Sequence, residues 1–325
     1  MNIRKISDAA IEEAAALLRL GRLVAFPTET VYGLGADASN DMAVAEIFAV
    51  KNRPQFNPLI VHVDGIDMAR RLVIWNATAD KLARTFWPGP LTLVLPRFPG
   101  SPVSLLVGAG GPTLGLRMPS DINARKLISA TGFALAAPSA NRSGRVSPTT
   151  AQHVHEELGR DVPLILDGGM CPVGIESTVI DISAETAVLL RPGFVTQEQI
   201  ENLLGCEVIA KGDDSGACQS PGRTPSHYAP TLPLRLNVME PRADEALLAF
   251  VIHVPPGAKM VINLSEASDL KLAAARLFAS LRLLDKPEFT AIAVMPIPHD
   301  GLGAAINDRL MRAAHGSTAL AESAC

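Results

Sequence analysis

Apolar positions along the first 205 or so residues alternate between a helical period and a strand period. The spacing predicts a helix over 8–20, capped near Ser7, and a strand over 22–27. A helix starting near Asn40 is stopped by Pro54, and "PLIVHV" reads as a strand followed by two helical stretches separated near Asn76. "LTLVLP", "TLGLRMP", "FALAAPSA", "VPLILDGG", "STVIDIS" and "AVLLRPG" are strand-like, and "QEQIENLLG" makes a closing helix with Gly205 as its stop. Between about 210 and 232 the period disappears into Pro, Gly and Ser, as a linker does. Beyond it, "LPLRL", "KMVINL" and "FTAIAVMPI" are expected as strands, with helices over 243–252, 269–284 and 305–314. The reading is an α/β protein with a larger domain over 1–209, a linker over 210–232 and a small α/β domain over 233–325, with no internal repeat.

Composition narrows this only a little. A chain of 325 residues, 48% hydrophobic, can bury ordinary cores, and 4% aromatics make their packing mostly aliphatic. The formal charge of -4 supplies no global reason to hold nucleic acid. Cys171, Cys206, Cys218 and Cys325 form no CxxC pair, so reduced thiols in the cytoplasm are expected. The N-terminal helix carries Asp8, Glu12 and Glu13, unlike a signal peptide, and no apolar run reaches the roughly 18 residues of a membrane span. A soluble chain with no membrane partner is expected.

Polar clusters sit where strands and helices end. "FPTETVYGLGAD" gives Thr28, Glu29, Thr30 and Tyr32 with Gly33 and Gly35; "KNRPQFNPLIVH" gives Lys51, Arg53, Asn57 and His62. "LGLRMPS" centres on Arg117, and "APSANRSGRVSPT" offers Ser139, Asn141 and Ser147. Singly, each has a plain structural reading. Lys51 and Arg53 could complement a helix dipole, Ser139 and Asn141 could cap a turn, His62 could be a satisfied core histidine, and the threonines could bond local backbone. Together, two cations, a second polar loop and a separate Arg suit a cradle for phosphate and carboxylate.

Familiar alternatives fail. There is no GxxxxGK[ST] or GxSxG, and the glycines of "GLGADA" come about seven residues after the strand, too late for a dinucleotide turn. "GLGAA" at 301–305 leaves too few residues for a βαβ unit. "HVHEE" puts His153 and His155 on different helix faces, so no metal site is expected. "GAGGPTLG" over 108–115 is either a mobile lid or a turn.

Read jointly, "FPTETVYGLGADA", "KNRPQFNPLIVHV", "WPGPLTLVL", "LGLRMPSD", "APSANRSG" and "GIESTVIDI…LLRPG" resemble, in order, the YrdC-like family over roughly 20–192. "SPGRTPSHYAP" followed by "GLGAAINDRLMRAA" resembles the long, two-domain threonylcarbamoyl-adenylate synthases of that family. The resemblance implies a twisted mixed α/β sheet with a concave active-site face, joined to a Rossmann-like C-terminal domain. It implies a nucleotidyltransferase that forms threonylcarbamoyl-AMP and pyrophosphate from L-threonine, bicarbonate or CO2, and ATP with Mg2+. The product serves tRNA modification through downstream threonylcarbamoyl-transferase proteins, with at most weak or indirect tRNA contact.

By the same resemblance, Lys51, Arg53, Ser139 and Asn141 match the KxR…SxN signature expected to act in catalysis on the ATP side. Thr30, His62, Arg117, Ala137 and Ser177 are expected to hold L-threonine. Arg53, Asn57, Thr113, Ser139, Ser147 and Arg191 are expected at the nucleotide, with His227 and Tyr228 reaching over it and the 210–232 linker serving as a lid. The linker departs from many relatives in reading "RTPS" before "HYAP", so Arg223 is the candidate stand-in for a basic contact and Pro225 stiffens the segment. Two rivals belong to other classes. One is a non-catalytic RNA-binding or ribosome-associated module; the other is a carbamoyl-adenylate enzyme of the hydrogenase-maturation type, whose zinc-finger-like cysteine pairs are missing here.

Overall fold

A computed structural model describes residues 2–210 and 227–323. The lid reading for most of the linker, and the roles given to Cys218, Arg223, Pro225 and Cys325, lie outside those residues. In chain order the first sheet and its helices comprise β1 (Ile3–Lys5), α1 (Asp8–Arg19), β2 (Val24–Phe26), β3 (Gly33–Asp37), α2 (Asp41–Lys51), β4 (Ile60–His62), α3 (Ile66–Arg70) and α4 (Ala77–Phe86). They continue through β5 (Leu91–Pro96), β6 (Thr113–Arg117), α5 (Ile122–Thr131), β7 (Leu135–Ala136), α6 (Ala151–Leu158), β8 (Leu164–Asp167), β9 (Thr178–Asp181), β10 (Val188–Arg191), α7 (Gln197–Leu204) and β11 (Ile209–Ala210). The strands form one mixed sheet in the order β1-β8-β2-β3-β7-β4-β6-β5-β9-β10-β11.

Local chemistry sets the helix ends. Ser7 accepts from the Ala10 N–H to start α1, and Asn40 accepts from Met42 and Ala43 to start α2. At the other end of α2, Asn52 takes the left-handed conformation (φ 50°), and the Arg53 N–H returns to the Phe48 carbonyl. That turn sends Lys51 and Arg53 off the same helix end in different directions. Leu18 of α1, Ile47 of α2, Leu82 of α4 and Leu127 of α5 are fully buried in the core against the sheet.

The second unit is a four-stranded, all-parallel sheet in the order β12 (Leu234–Arg235), β15 (Ile292–Val294), β13 (Ala246–Ala249) and β14 (Met260–Asn263). Helices α8 (Leu270–Leu284) and α9 (Leu302–Ser323) pack against it, giving the Rossmann-like α/β unit.

One expectation is overturned. The helix expected over 243–252 is instead a turn followed by the interior strand β13, paired on both sides. "ALLAF" is a short, unbroken apolar run buried on both faces, as an interior parallel strand is, and tertiary burial overrides the helical preference of Ala and Leu. Smaller differences follow the same logic. "GLGAD" is strand β3, which the pattern did not predict; β1 and α5 are further additional elements; "FALAAPSA" keeps only two strand residues before Pro138; and α9 extends beyond 305–314.

Candidate functional site

β2 and β3 form a hairpin whose connection, residues 27–32, is buried throughout. Thr28 organises it: its hydroxyl donates to the Val31 carbonyl at 2.7 Å and lies 2.9 Å from the Thr30 hydroxyl. Because a threonine has one hydroxyl proton, Thr30 is the donor in that pair, and its two lone pairs stay available as acceptors in the cleft it lines. Gly33 lines the same cleft. Gly35 does not; a Cβ there would lie 2.7 Å from the Phe26 ring, so this glycine makes room for Phe26 across the hairpin. Tyr32 points elsewhere, donating to the Gly169 carbonyl at 2.8 Å.

The parallel register of β4 and β6 sets His62 beside Arg117. Burial, reinforced by Arg117, pushes His62 down to about 3, so its imidazole is neutral near pH 7. Its Nδ1 has no hydrogen-bond partner among the described residues. Arg117 is buried, with Nη2 2.8 Å from Glu29 Oε1. That contact is an off-axis ion pair and not a hydrogen bond, so both Glu29 oxygens and Nη2 keep hydrogen-bonding capacity.

The opposite wall is built on the ends of β9 and β10. Arg191 donates from Nε and Nη2 to the Ser177 carbonyl at 3.1 and 2.9 Å, and from Nη2 to the Ser177 hydroxyl at 3.2 Å. Thr92 holds that hydroxyl from the other side at 2.8 Å. Arg53 enters from beyond α2, donating to the carbonyls of Asn57 (3.1 Å) and Pro58 (2.8 Å). Lys51 is buried under the 139–141 loop. Its Nζ donates to the Ser139 carbonyl at 2.6 Å and to the Asn141 carbonyl, tying the end of α2 to that loop. Burial first, then Arg53, lowers the Lys51 ammonium well below the usual lysine range.

His227 and Tyr228 close the cleft. The His227 ring meets Tyr228 edge to face at 4.1 Å, and Tyr228 stacks on Phe278 at 5.3 Å in a left-handed backbone conformation (φ 62°). Burial, then the positive fields of Arg53, Lys51, Arg191 and Arg309, keeps His227 neutral. Burial also pushes the Tyr228 hydroxyl up to about 12, and among the described residues that hydroxyl has no hydrogen-bond partner.

The cleft is narrow as it stands, with a cavity of about 40 Å³. It brings together ten expected residues: Thr30, Arg53, His62, Arg117, Ala137, Ser139, Ser177, Arg191, His227 and Tyr228. Lys51 and Asn141 stand one layer behind. The Asn141 amide donates to the Arg142 and Arg145 carbonyls, both at 2.8 Å, while its Oδ1 has no partner among the described residues. Asn57 and Ser147 also lie outside the lining; Ser147 donates to Glu176 at 2.5 Å. Thr113 sits at the far end of β6 from Arg117, on the same face of the strand by alternation. Sequence reasoning singled out Thr28 and Glu29 in a polar cluster but assigned no role to Glu176 or Arg309. Only the position of Glu176 directly before Ser177 could have flagged that carboxylate.

Among the described residues no group of three or more His, Cys, Asp or Glu could hold a metal ion, and no helix is long and apolar enough to cross a membrane. Arg53, Arg117 and Arg191 line the cleft together with the carboxylate of Glu176, and neutral His62 lies beside Arg117, a setting in which an anionic ligand would meet guanidinium groups.

Comparisons with known proteins agree with this geometry. The Sua5_yciO_yrdC model, described as "Telomere recombination", matches residues 16–193. Sua5_C, described as "Threonylcarbamoyl-AMP synthase, C-terminal domain", matches residues 195–315. A threonylcarbamoyl-AMP synthase of Bacillus subtilis is 41% identical over 95% of this chain and 94% of its own length. The crystal structure of Pyrococcus abyssi Sua5 complexed with L-threonine superimposes with a TM-score of 0.89 at 36% identity, covering 97% of both chains. HypF in a phosphate- and nucleotide-bound form shares the fold alone, at 20% identity over 56% of this chain.

Proposed function

Because the chain belongs to the threonylcarbamoyl-AMP synthase family, in the form that joins a YrdC-type unit to a Sua5 C-terminal unit, we propose that it works as a nucleotidyltransferase, making threonylcarbamoyl-AMP and pyrophosphate from L-threonine, bicarbonate or CO2, and ATP. One observation carries the reading at the level of residues. A single cleft joins a corner of Arg117, Thr30 and His62, suited to a carboxylate, to Arg53 and Arg191, suited to oxyanions, with Ser177 hydrogen-bonded to Arg191.

In this reading the carboxylate of L-threonine pairs with Arg117, whose guanidinium retains donors beyond its contact with Glu29. The Thr30 hydroxyl accepts from the amino group, and neutral His62 adds no repelling charge. The amine, having lost a proton, attacks CO2: the N–C bond forms as a C–O π bond opens to a carboxylate oxygen, and the nitrogen gives its surplus proton to water, leaving a carbamate. A carbamate oxygen then attacks the α-phosphorus of ATP and the bond to the pyrophosphate oxygen breaks. Both steps crowd anions together, so Arg53 and Arg191 offset the repulsion, with Mg2+ entering as part of the ATP substrate. Lys51 acts through the loop, fixing Ser139 and Asn141 at the nucleotide side. Asn57, Thr113 and Ser147 would contact parts of the nucleotide beyond the present lining. His227 and Tyr228 shield the carbamate from water.

We keep 1–209 as the catalytic unit and 233–325 as its C-terminal partner. The product would pass in the cytoplasm to threonylcarbamoyl-transferase proteins, with tRNA contacted weakly or indirectly. The test is pyrophosphate release with ATP, Mg2+ and bicarbonate, with and without L-threonine. Threonine-dependent release that is lost in Lys51→Ala supports the reading. No release by folded wild type, with salt-dependent RNA binding instead, would replace it with a binding module.

A further inference from the structure

We propose that Arg309, on α9 of the C-terminal unit, is a positioning residue of the catalytic cleft, so that the Glu176–Ser177 wall takes its working shape only while the two units are docked. This rests on the synthase reading above. The Arg309 side chain is fully buried, and it bonds Glu176, which lines the cleft, and Pro192, which follows the lining residue Arg191. Nε donates to Glu176 Oε2 at 3.2 Å, Nη2 to the Glu176 carbonyl at 3.3 Å, and Nη1 to the Pro192 carbonyl at 2.5 Å. Glu176 itself lines the cleft and receives Ser147 on its other oxygen at 2.5 Å.

The geometry ties both strand ends at once. Glu176 precedes Ser177 and Pro192 follows Arg191, and Ser177 and Arg191 are the two residues hydrogen-bonded across that wall. The same guanidinium lies 5.6 Å from the centre of the Tyr228 ring, part of the covering wall. One side chain of the C-terminal unit thus fixes the distance between the wall and its cover.

The docking is close enough to make this contact obligatory. A Cβ on Gly174 would lie 2.5 Å from the Ala274 carbonyl and the Ala275 Cα, so the backbone of α8 rests directly on the loop that leads to Glu176. Val31, Val146 and Ile175 share one apolar core with Leu277, Phe278 and Ile306. An interface already held by that core has no need of a buried arginine for adhesion, because apolar residues of similar volume hold an interface as well or better. The guanidinium's partners on Glu176 and Pro192 point to the shape of the cleft as its purpose. Asp308, 3.0 Å from Nη1, completes its charge pairing.

The test uses the full chain. Arg309→Lys keeps the charge and most of the stem but cannot serve Glu176 and Pro192 together; Arg309→Gln removes the charge. Arg309→Lys, which keeps a charge beside Glu176 and Asp308, is expected to unfold near the wild-type range, whereas Arg309→Gln leaves both carboxylates without their cation and is expected to unfold earlier; both variants, when folded, are expected to raise KM for L-threonine at least tenfold. Combining Arg309→Gln with Glu176→Gln is expected to be no worse than the poorer single variant, because both act through one contact. A purely adhesive Arg309 would leave KM unchanged in the folded variants, or would give effects that multiply to within about twofold; either result overturns the proposal. Should Arg309→Gln fail to fold, Arg309→Lys decides alone. A wild type without threonine-dependent pyrophosphate release overturns the functional reading and this inference with it, whereas an active wild type matched by its variants overturns only this inference.

Discussion

Acidification should destabilise the first unit through His62, and the size of the effect follows from its burial. The side chain is 3% exposed at the end of β4, beside Arg117, and its value falls from 6.5 to about 3 on folding. A base whose folded value is depressed binds its proton mainly in the unfolded chain. Stability therefore rises with pH and is lost as pH falls from the unfolded value of 6.5 toward the folded one. A shift of this size is worth about 5 kcal/mol if the pH reaches the folded value, and about 2 kcal/mol between pH 7 and pH 5. His62→Gln keeps a polar group of similar length and removes the titration. Urea unfolding of both proteins at pH 7 and pH 5, followed on the transition of the larger sheet, gives the double difference directly. The wild type should lose about 2 kcal/mol more than the variant over that interval. Parallel losses in the two proteins would refute the burial argument. The same reasoning expects no inflection near pH 6.5 in KM for L-threonine, since His62 stays neutral there.

Other consequences are as direct. Arg117→Gln leaves Glu29 as a buried carboxylate without its ion pair, so it should cost about 3–5 kcal/mol of stability. Adding Glu29→Gln should recover much of that loss; urea midpoints that are unchanged in the single variant would contradict the pairing. Gly35→Ala places a Cβ 2.7 Å from the Phe26 ring and should destabilise by about 1–3 kcal/mol, partly relieved by Phe26→Leu. A neutral Gly35→Ala would mean the hairpin has slack that the structure does not show. Leu248→Ala, in the interior strand β13, should cost about 2–5 kcal/mol in the unfolding of the C-terminal unit. A cost below 1 kcal/mol would argue that this segment does not sit between two strands.

Much of the cleft's lining was legible because its residues lie at strand and helix ends, where local patterns break. Arg117 follows the alternating run of β6, and Thr30 follows the apolar run of β2. Lys51 shows how a plain reading and a functional one coexist: it is in the last turn of α2, yet its ammonium bonds the carbonyls of residues 139 and 141. What could not be read is long-range. Arg309 belongs to an amphipathic helix pattern, and nothing local says that one of its charged positions backs the cleft wall of another unit, 133 residues away from Glu176. The error over 243–252 has a different origin. Ala and Leu favour helix in isolation, and only pairing with β14 and β15 makes "ALLA" a strand. The strand over "GLGAD" was not predicted because the large partner its glycines accommodate, Phe26, sits across the hairpin.

The most direct measurement is mass spectrometry of the adenylate formed from ATP, Mg2+ and L-threonine in 13C-bicarbonate. The account expects a threonylcarbamoyl-AMP species heavier by one mass unit, formed together with pyrophosphate and absent when L-threonine is omitted. Pyrophosphate release without threonine, or an adenylate carrying no label from bicarbonate, would contradict it.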